Sequence, residues 1–343
     1  MREFIIHRQD AGQRFDKYLK RILPEASTGF LYKMIRKKNI TLNGKKSEGK
    51  ELLKEKDSIQ VFFSDETFLK FAGHNDHPKM DCTPFYLAYE TLKDITVVFQ
   101  NEDVLILNKP AGILTQKATD KDFSANEWLI GYLLKQHIIS ETSLNMFKPS
   151  VCNRLDRNTS GLVLCGVSLP GTRMLGVLLK SRDLQKYYVT YVQGLFENQV
   201  HGKGYLVKHE ASNKVSVYQK TEDIPAEEKR QAERIETIMK PLAMDREKKV
   251  TKLEIHLVTG KSHQIRAHLA ALGYPIIGDK KYGYRNNTFD MVSSYQMLHA
   301  YKVVFPDKME ECDALSGKKI YAPIPDTFKK LEEMLCLHGV PED

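Results

Sequence analysis

Much of what this chain is not can be read from what it lacks. No apolar run approaches the roughly 20 residues that span a bilayer. The start, Met1-Arg2-Glu3-Phe4-Ile5-Ile6-His7, has no long apolar centre of the signal-peptide kind. A cytoplasmic protein with no membrane partner is expected. Cysteine is scarce: Cys82, Cys152, Cys165, Cys312 and Cys336 are odd in number and widely spaced, so neither a disulfide framework nor a Cys-x-x-Cys zinc pair can be drawn. His263 and His268 share one stretch, but no third ligand stands at a recognisable spacing, and no metal is expected. There is no glycine-rich phosphate loop, no βαβ alternation, no internal repeat and no low-complexity tract.

Length and positive charge are present instead. A chain of 343 residues has room for a large core and a small accessory domain. Lysine and arginine outnumber the acids, 52 to 44, for a net charge of +8. That balance favours an anionic partner through phosphate neutralisation, although charge alone does not choose between RNA, DNA and a membrane surface.

At the N-terminus, Phe15, Tyr18, Leu19, Ile22 and Leu23 recur with helical period, with Asp10 and Gln13 as a candidate capping box. After Pro24, Ser27 or Thr28 can cap a second helix whose apolar side is Phe30, Leu31, Met34 and Ile35. Lys33, Arg36, Lys37 and Lys38 fall outside that side and make a basic face, a candidate RNA contact. Ile40-Thr41-Leu42 runs into the turn pair Asn43-Gly44, and 57–63 reads as a closing strand. A domain over 1–64 is expected. Residues 65–87, with Gly73, Pro78 and Pro84 among scattered polar groups, read as a linker.

A larger domain is expected over 88–337. Strands are expected at 95–98 and 104–107, and a helix capped by Ser124 and Glu127 should bury Trp128, Leu129, Tyr132 and Leu133. Further on come a strand at 162–167, a helix at 169–181 and a strand at 186–193 whose adjacent Tyr187 and Tyr188 face opposite sides. Ser262 is the expected cap of a helix carrying Arg266, ended by Gly273. Residues 210–250 alternate charge signs and read as a solvated excursion without chemistry. The fold class implied is α+β.

The chemistry concentrates in Asn153-Arg154-Leu155-Asp156-Arg157-Asn158-Thr159-Ser160-Gly161. One carboxylate stands between two guanidinium forks beside turn chemistry, an arrangement that favours an ionised aspartate facing a polyanion. An arbitrary aspartate in a turn is usually structural, capping its own backbone. Its company here argues otherwise.

This block resembles the central motif of the RluA-type pseudouridine synthases. Other stretches resemble that family's blocks in its order: 107–112 (Leu-Asn-Lys-Pro-Ala-Gly), Lys186-Tyr187-Tyr188, 259–268 (Thr-Gly-Lys-Ser-His-Gln-Ile-Arg-Ala-His), 275–279 with Tyr282-Gly283, 298–300 and 322–325. The likeness covers roughly 88–335 and implies a mixed, largely antiparallel central sheet flanked by helices, RNA as substrate, isomerisation of uridine and no cofactor. It implies Asp156 as the catalytic carboxylate, Arg266 as its salt-bridge partner and Tyr188 as the aromatic that stacks on the base or helps take its proton. Arg154, Arg157, Lys109 and Lys261 are expected to hold phosphates. Lys261 stands where the family often has arginine, which keeps the charge but loses the bidentate fork. The N-terminal part resembles the alpha-L RNA-binding fold, and chains combining the two commonly act on large-subunit ribosomal RNA. A tRNA target and a non-catalytic ribosome-assembly factor are the competing readings, the latter leaving Asp156, Tyr188 and Arg266 together without a purpose. A monomer is expected.

Overall fold

The computed structural model describes residues 1–7, 10–72, 80–145, 147–210, 212–309 and 312–340. The chain opens with β1 (Arg2–Ile5), α1 (Phe15–Ile22), α2 (Thr28–Arg36), β2 (Ile40–Leu42), β3 (Ser58–Val61) and α3 (Asp65–Ala72). The three strands pair antiparallel in the order β1-β3-β2. Phe15, Leu19, Leu31 and Ile35, spaced for the inner faces of α1 and α2, pack with Ile40, Ile59 and Val61 into one core.

Two local expectations, the capping box and the linker, differ from what forms here, and two are refined. Asp10 and Gln13 do not box α1, which starts later, at Phe15; Asp10 instead takes Arg21 Nη2 at 2.7 Å. Ser27, not Thr28, caps α2, its hydroxyl accepting from Phe30 N at 3.2 Å. Asn43 and Gly44 both turn left-handed, φ 54° and 69°, but the chain comes straight back only to Lys45, and the strand paired with β2 arrives at Ser58. The stretch 65–87 carries helices at both ends: Phe68 and Phe71 of α3 pack into the first core, and α4 (Thr83–Thr91) packs on a later helix. Gly73 and Pro78 lie outside the described residues.

The remaining elements are β4 (Thr96–Gln100), β5 (Val104–Lys109), α5 (Ala125–Lys135), β6 (Ser150–Val151), β7 (Ser160–Gly166), α6 (Leu169–Ser181), β8 (Gln185–Gln193), β9 (Val200–His209), β10 (Lys214–Tyr218), β11 (Glu233–Asp245), β12 (Val250–Leu257), α7 (Gln264–Ala271), β13 (Leu298–Val304), β14 (Lys319–Tyr321), α8 (Asp326–Met334) and β15 (His338–Gly339). Twelve strands form one sheet with the path β10-β9-β11-β12-β8-β13-β7-β5-β4. The pairings are antiparallel except β7 with β13, so the sheet is mixed and largely antiparallel, as expected for an α+β chain. Leu105, Leu107, Val163 and Cys165 face α5, whereas Val104, Ile106, Leu162 and Leu164 face α6. Burial on both faces is why these strands alternate so weakly in sequence.

The expected excursion at 210–250 instead carries two strands of the sheet. β10 and all of β11 lie in it, with Ile235, Thr237 and Met239 buried at every second position. Its charge clusters, 227–230 and 245–249, fall in the connection before β11 and across its end into the turn after it. Among the described residues, no helix is long and apolar enough to cross a membrane.

Candidate active site

Asp156 stands in the turn between β6 and β7, and both of its neighbours are tied down. Thr115 Oγ1 donates to Leu155 O at 2.8 Å and accepts from Leu155 N at 3.1 Å. Lys109 Nζ reaches Arg157 O at 3.1 Å while also donating to Pro110 O at 3.0 Å and Ile113 O at 2.8 Å. Just beyond the turn, β7 runs parallel to β13 through Ser160–His299 and Gly161–Ala300. Gly161 has φ +115°, and a Cβ there would stand 2.2 Å from Ala300 O, so only glycine lets the strands close.

Arg266, in the first turn of α7, reaches Asp156 through one guanidinium nitrogen. Its Nε and Nη2 donate to Asp279 Oδ2 and Oδ1 at 2.7 and 2.9 Å, a bidentate fork that fixes the guanidinium plane. The remaining nitrogen, Nη1, donates to Asp156 Oδ2 at 2.9 Å. Asp279 has 1 % of its side chain exposed and Arg266 8 %, whereas Asp156 keeps 25 %. The buried pair is a mount, and the exposed carboxylate is what it presents. Burial opposes the Arg266 charge, but Asp279 and then Asp156 outweigh it and raise the pKa above its ordinary value.

The cavity in front of Asp156 measures about 910 Å³ and includes Tyr188, Lys186, His263 and Arg266 in its lining. Tyr188 on β8 turns into it, while Tyr187 turns away and stacks on His256. Burial, followed by the Asp156 charge, pushes the Tyr188 phenol above its usual value, so it is un-ionised at neutral pH. Lys186, one pleat along the same face, is held below the ordinary lysine value by burial and by Arg182.

Of the residues singled out from sequence, Asp156, Tyr188, Arg266, Arg154, Arg157 and Lys261 line this one cavity. Arg154 and Arg157 are exposed at its rim, and Lys261 is ion-paired to Glu233. Lys33, Arg36, Lys37 and Lys38 are exposed on α2 and just after it, outside the cavity lining. Lys109 is corrected: it is fully buried, and its ammonium is spent on three carbonyls rather than offered to phosphate. Burial pushes it down to about 7, with Asp156 pulling the other way. Ser262 is not the cap of α7; His263 holds that position with φ 54°.

Three residues carry more than the sequence suggested. Asp279 orients Arg266. Gln264 accepts from Thr259 Oγ1 and Lys261 N and donates to Glu236 O and Thr237 Oγ1, latching the start of α7 to β11. His263, weighed from sequence only as a metal ligand, points Nε2 to within 3.8 Å of Asp156 Oδ2. His268 turns away to Thr237, and the described residues contain no cluster of three His, Cys, Asp or Glu that could hold a metal.

The family model described as RNA pseudouridylate synthase matches residues 103–271. An uncharacterized RNA pseudouridine synthase of Mycoplasma genitalium is 30% identical over 89% of this chain and 89% of its own length. The chain belongs to the RNA pseudouridylate synthase family. It is accordingly an isomerase acting on uridine in RNA. The ribosomal large subunit pseudouridine synthase C of Rickettsia bellii is 29% identical over 93% of this chain and 97% of that protein. Among solved structures, human RNA pseudouridylate synthase domain containing 4 superposes with a TM-score of 0.58 at 18% identity, over 75% of this chain and 98% of that one. Human domain containing 1 gives 0.52 at 19%, over 74% and 92%.

Proposed function

We propose that this enzyme isomerises specific uridines in large-subunit ribosomal RNA, with Asp156 as the reacting carboxylate, Arg266 as its ion-pair partner and Tyr188 as the surface against which the base turns. The observation that carries the chemistry is the Asp279–Arg266–Asp156 array opening on a large cavity. The substrate class is supported by the rickettsial relatives named for the large ribosomal subunit.

The target nucleotide must leave its stack, at a cost of a few kcal/mol, before a carboxylate can reach its ribose. The bond from the anomeric carbon to the ring nitrogen breaks, the uracil turns, and a bond forms from the same carbon to ring carbon 5; carbon 5 then gives up its proton to solvent and the freed ring nitrogen takes one, so the isomerisation balances. Asp156 serves either by attacking the anomeric carbon or by removing a ribose proton; both routes need it ionised, and Arg266 favours that form. An un-ionised phenol is a poor base, so the role favoured for Tyr188 is packing against uracil. Arg154 and Arg157 at the rim are placed to meet phosphates. The unit 1–64 with its basic α2 face serves as an alpha-L-like RNA-binding domain, ahead of the catalytic domain at 88–337.

The test is tritium release from RNA transcribed with uridine tritiated at carbon 5, comparing the protein with Asp156→Asn on ribosomal and transfer RNA. Release by the parent alone, on ribosomal RNA, is expected. Release on transfer RNA only would move the substrate. Tight binding without release from any RNA or pre-ribosomal particle would favour an assembly factor.

A further inference from the structure

Behind the site, the hydroxyl of Tyr282 meets two nitrogens. Val215 N donates to it at 3.0 Å, and His263 Nδ1 lies 2.8 Å away. The other imidazole nitrogen, Nε2, lies 3.8 Å from Asp156 Oδ2, the oxygen that Arg266 Nη1 also holds. A neutral imidazole has one N–H and a phenol one proton, so the arrangement can be solved. With the hydrogen on Nδ1, Tyr282 would receive two donors, its own proton would lack an acceptor there, and a ring lone pair would face the carboxylate. With the hydrogen on Nε2, Tyr282 accepts from Val215 and donates to Nδ1, and an N–H faces Asp156. Tyr282 and Nδ1 are then matched, and the Nε2–H is directed at the carboxylate. Burial favours the neutral ring, as do Arg266 and Lys281, against the opposing pull of Asp156 and Asp279. The left-handed backbone at His263, φ 54°, is rare for a residue with a side chain and sets the ring between Tyr282 and Asp156.

We propose that His263 and Tyr282 are positioning residues for the isomerisation: Tyr282 keeps the hydrogen on His263 Nε2, and that N–H, with Arg266, ties back Asp156 Oδ2 so that Oδ1 is the oxygen presented to the ribose. The inference rests on Asp156 being the reacting carboxylate. A neutral donor suits this task, because it orients the carboxylate without setting a second full charge against it. The distance of 3.8 Å is longer than a hydrogen bond, so this role requires the pair to close in the substrate complex. The chain of contacts begins at Val215 on β10, so the β9–β10 hairpin reaches Asp156 through two side chains. That hairpin tip also holds Lys281, whose Nζ donates to Asn213 O.

The experiment is tritium-release kinetics, with a melting temperature for each variant, on whichever RNA the parent protein modifies. His263→Ala is expected to lower kcat about tenfold with KM unchanged, the worth of one hydrogen bond. His263→Gln, whose amide N–H can stand where Nε2–H stood, is expected to recover to within about threefold of the parent. Tyr282→Phe keeps the ring that lies 5.0 Å from the Arg266 guanidinium carbon but loses the hydroxyl, and kcat should fall by about threefold to tenfold. Should His263→Ala fail to fold, the Tyr282→Phe result decides. Unchanged kcat in either variant, a rise in KM alone, or a loss that glutamine does not recover at equal melting temperature would each overturn the proposal. Asp156→Asn run alongside separates the two layers. Turnover by that variant removes the underlying assignment, whereas an inert Asp156→Asn beside a fully active His263→Ala removes only the positioning role.

Discussion

On α2 and just after it, Lys33, Arg36, Lys37 and Lys38 hold their charges out in water, whereas on α7 Arg266 is almost wholly buried and commits three nitrogens to two carboxylates. The exposed set costs little to keep charged, acts at long range without direction and weakens with salt. The buried fork is the reverse: desolvation is large, the two carboxylates offset it, and the result is one nitrogen aimed at one oxygen. The second basic residue of α7 sharpens the contrast. His268 lies two residues from Arg266, has Thr237 rather than a carboxylate beside it, and burial pushes its pKa to about 4, so it stays neutral. Burial alone therefore does not decide charge; the carboxylate partner does.

The largest expected effect comes from Arg266→Lys. It preserves charge but cannot fork, so it can serve Asp279 or Asp156 but not both; kcat in the tritium assay should fall by about 10²- to 10³-fold. A loss under tenfold would break the comparison, because charge without geometry would then suffice.

Next is the acid limb of stability. His268 has its folded pKa depressed from 6.5 to about 4, so the unfolded chain binds more protons between those values. Its contribution is intact above about 6.5, is lost as pH falls, and is fully gone below about 4. Urea unfolding across this window should show a shallower decline in His268→Gln than in the parent. Parallel curves would mean that His268 is charged in the fold.

The smallest effect is expected on α2. Replacing Lys33, Arg36, Lys37 and Lys38 with glutamine should raise KM severalfold, leave kcat unchanged and flatten the salt dependence of binding by roughly 0.7 to 0.9 in slope for each phosphate no longer neutralised. A fall in kcat would show that these charges, too, act directionally.

Asp156 stood out because two guanidinium forks flank it beside turn chemistry, whereas Arg266 was singled out only through the family resemblance of its stretch. Strand alternation allowed only one of two adjacent tyrosines into a site, and the family resemblance chose Tyr188, which lines the cavity. Lys109 was misread for a physical reason: a lysine at a strand end before Pro110 looks solvated, and only tertiary closure brings Arg157 O over it. β11 was missed although Ile235, Thr237 and Met239 alternate, because the charged residues of its outer face and ends dominate the local composition. α3 was hidden by the aperiodic residues that follow it. Asp279 had no legible role, since nothing local shows that it faces a residue 13 positions upstream.

β13 lies between β8 and β7 in the sheet, and it is the piece that joins the two sides of the site. Asp156, Tyr188 and Arg266 are all synthesised before it. Until Leu298–Val304 has left the ribosome, the strand following Asp156 and the strand bearing Tyr188 have no common neighbour to pair with. The basic face of α2 can thus form long before the site is assembled. The proposed site is therefore completed late in synthesis, by a seven-residue strand that contributes none of its three proposed residues.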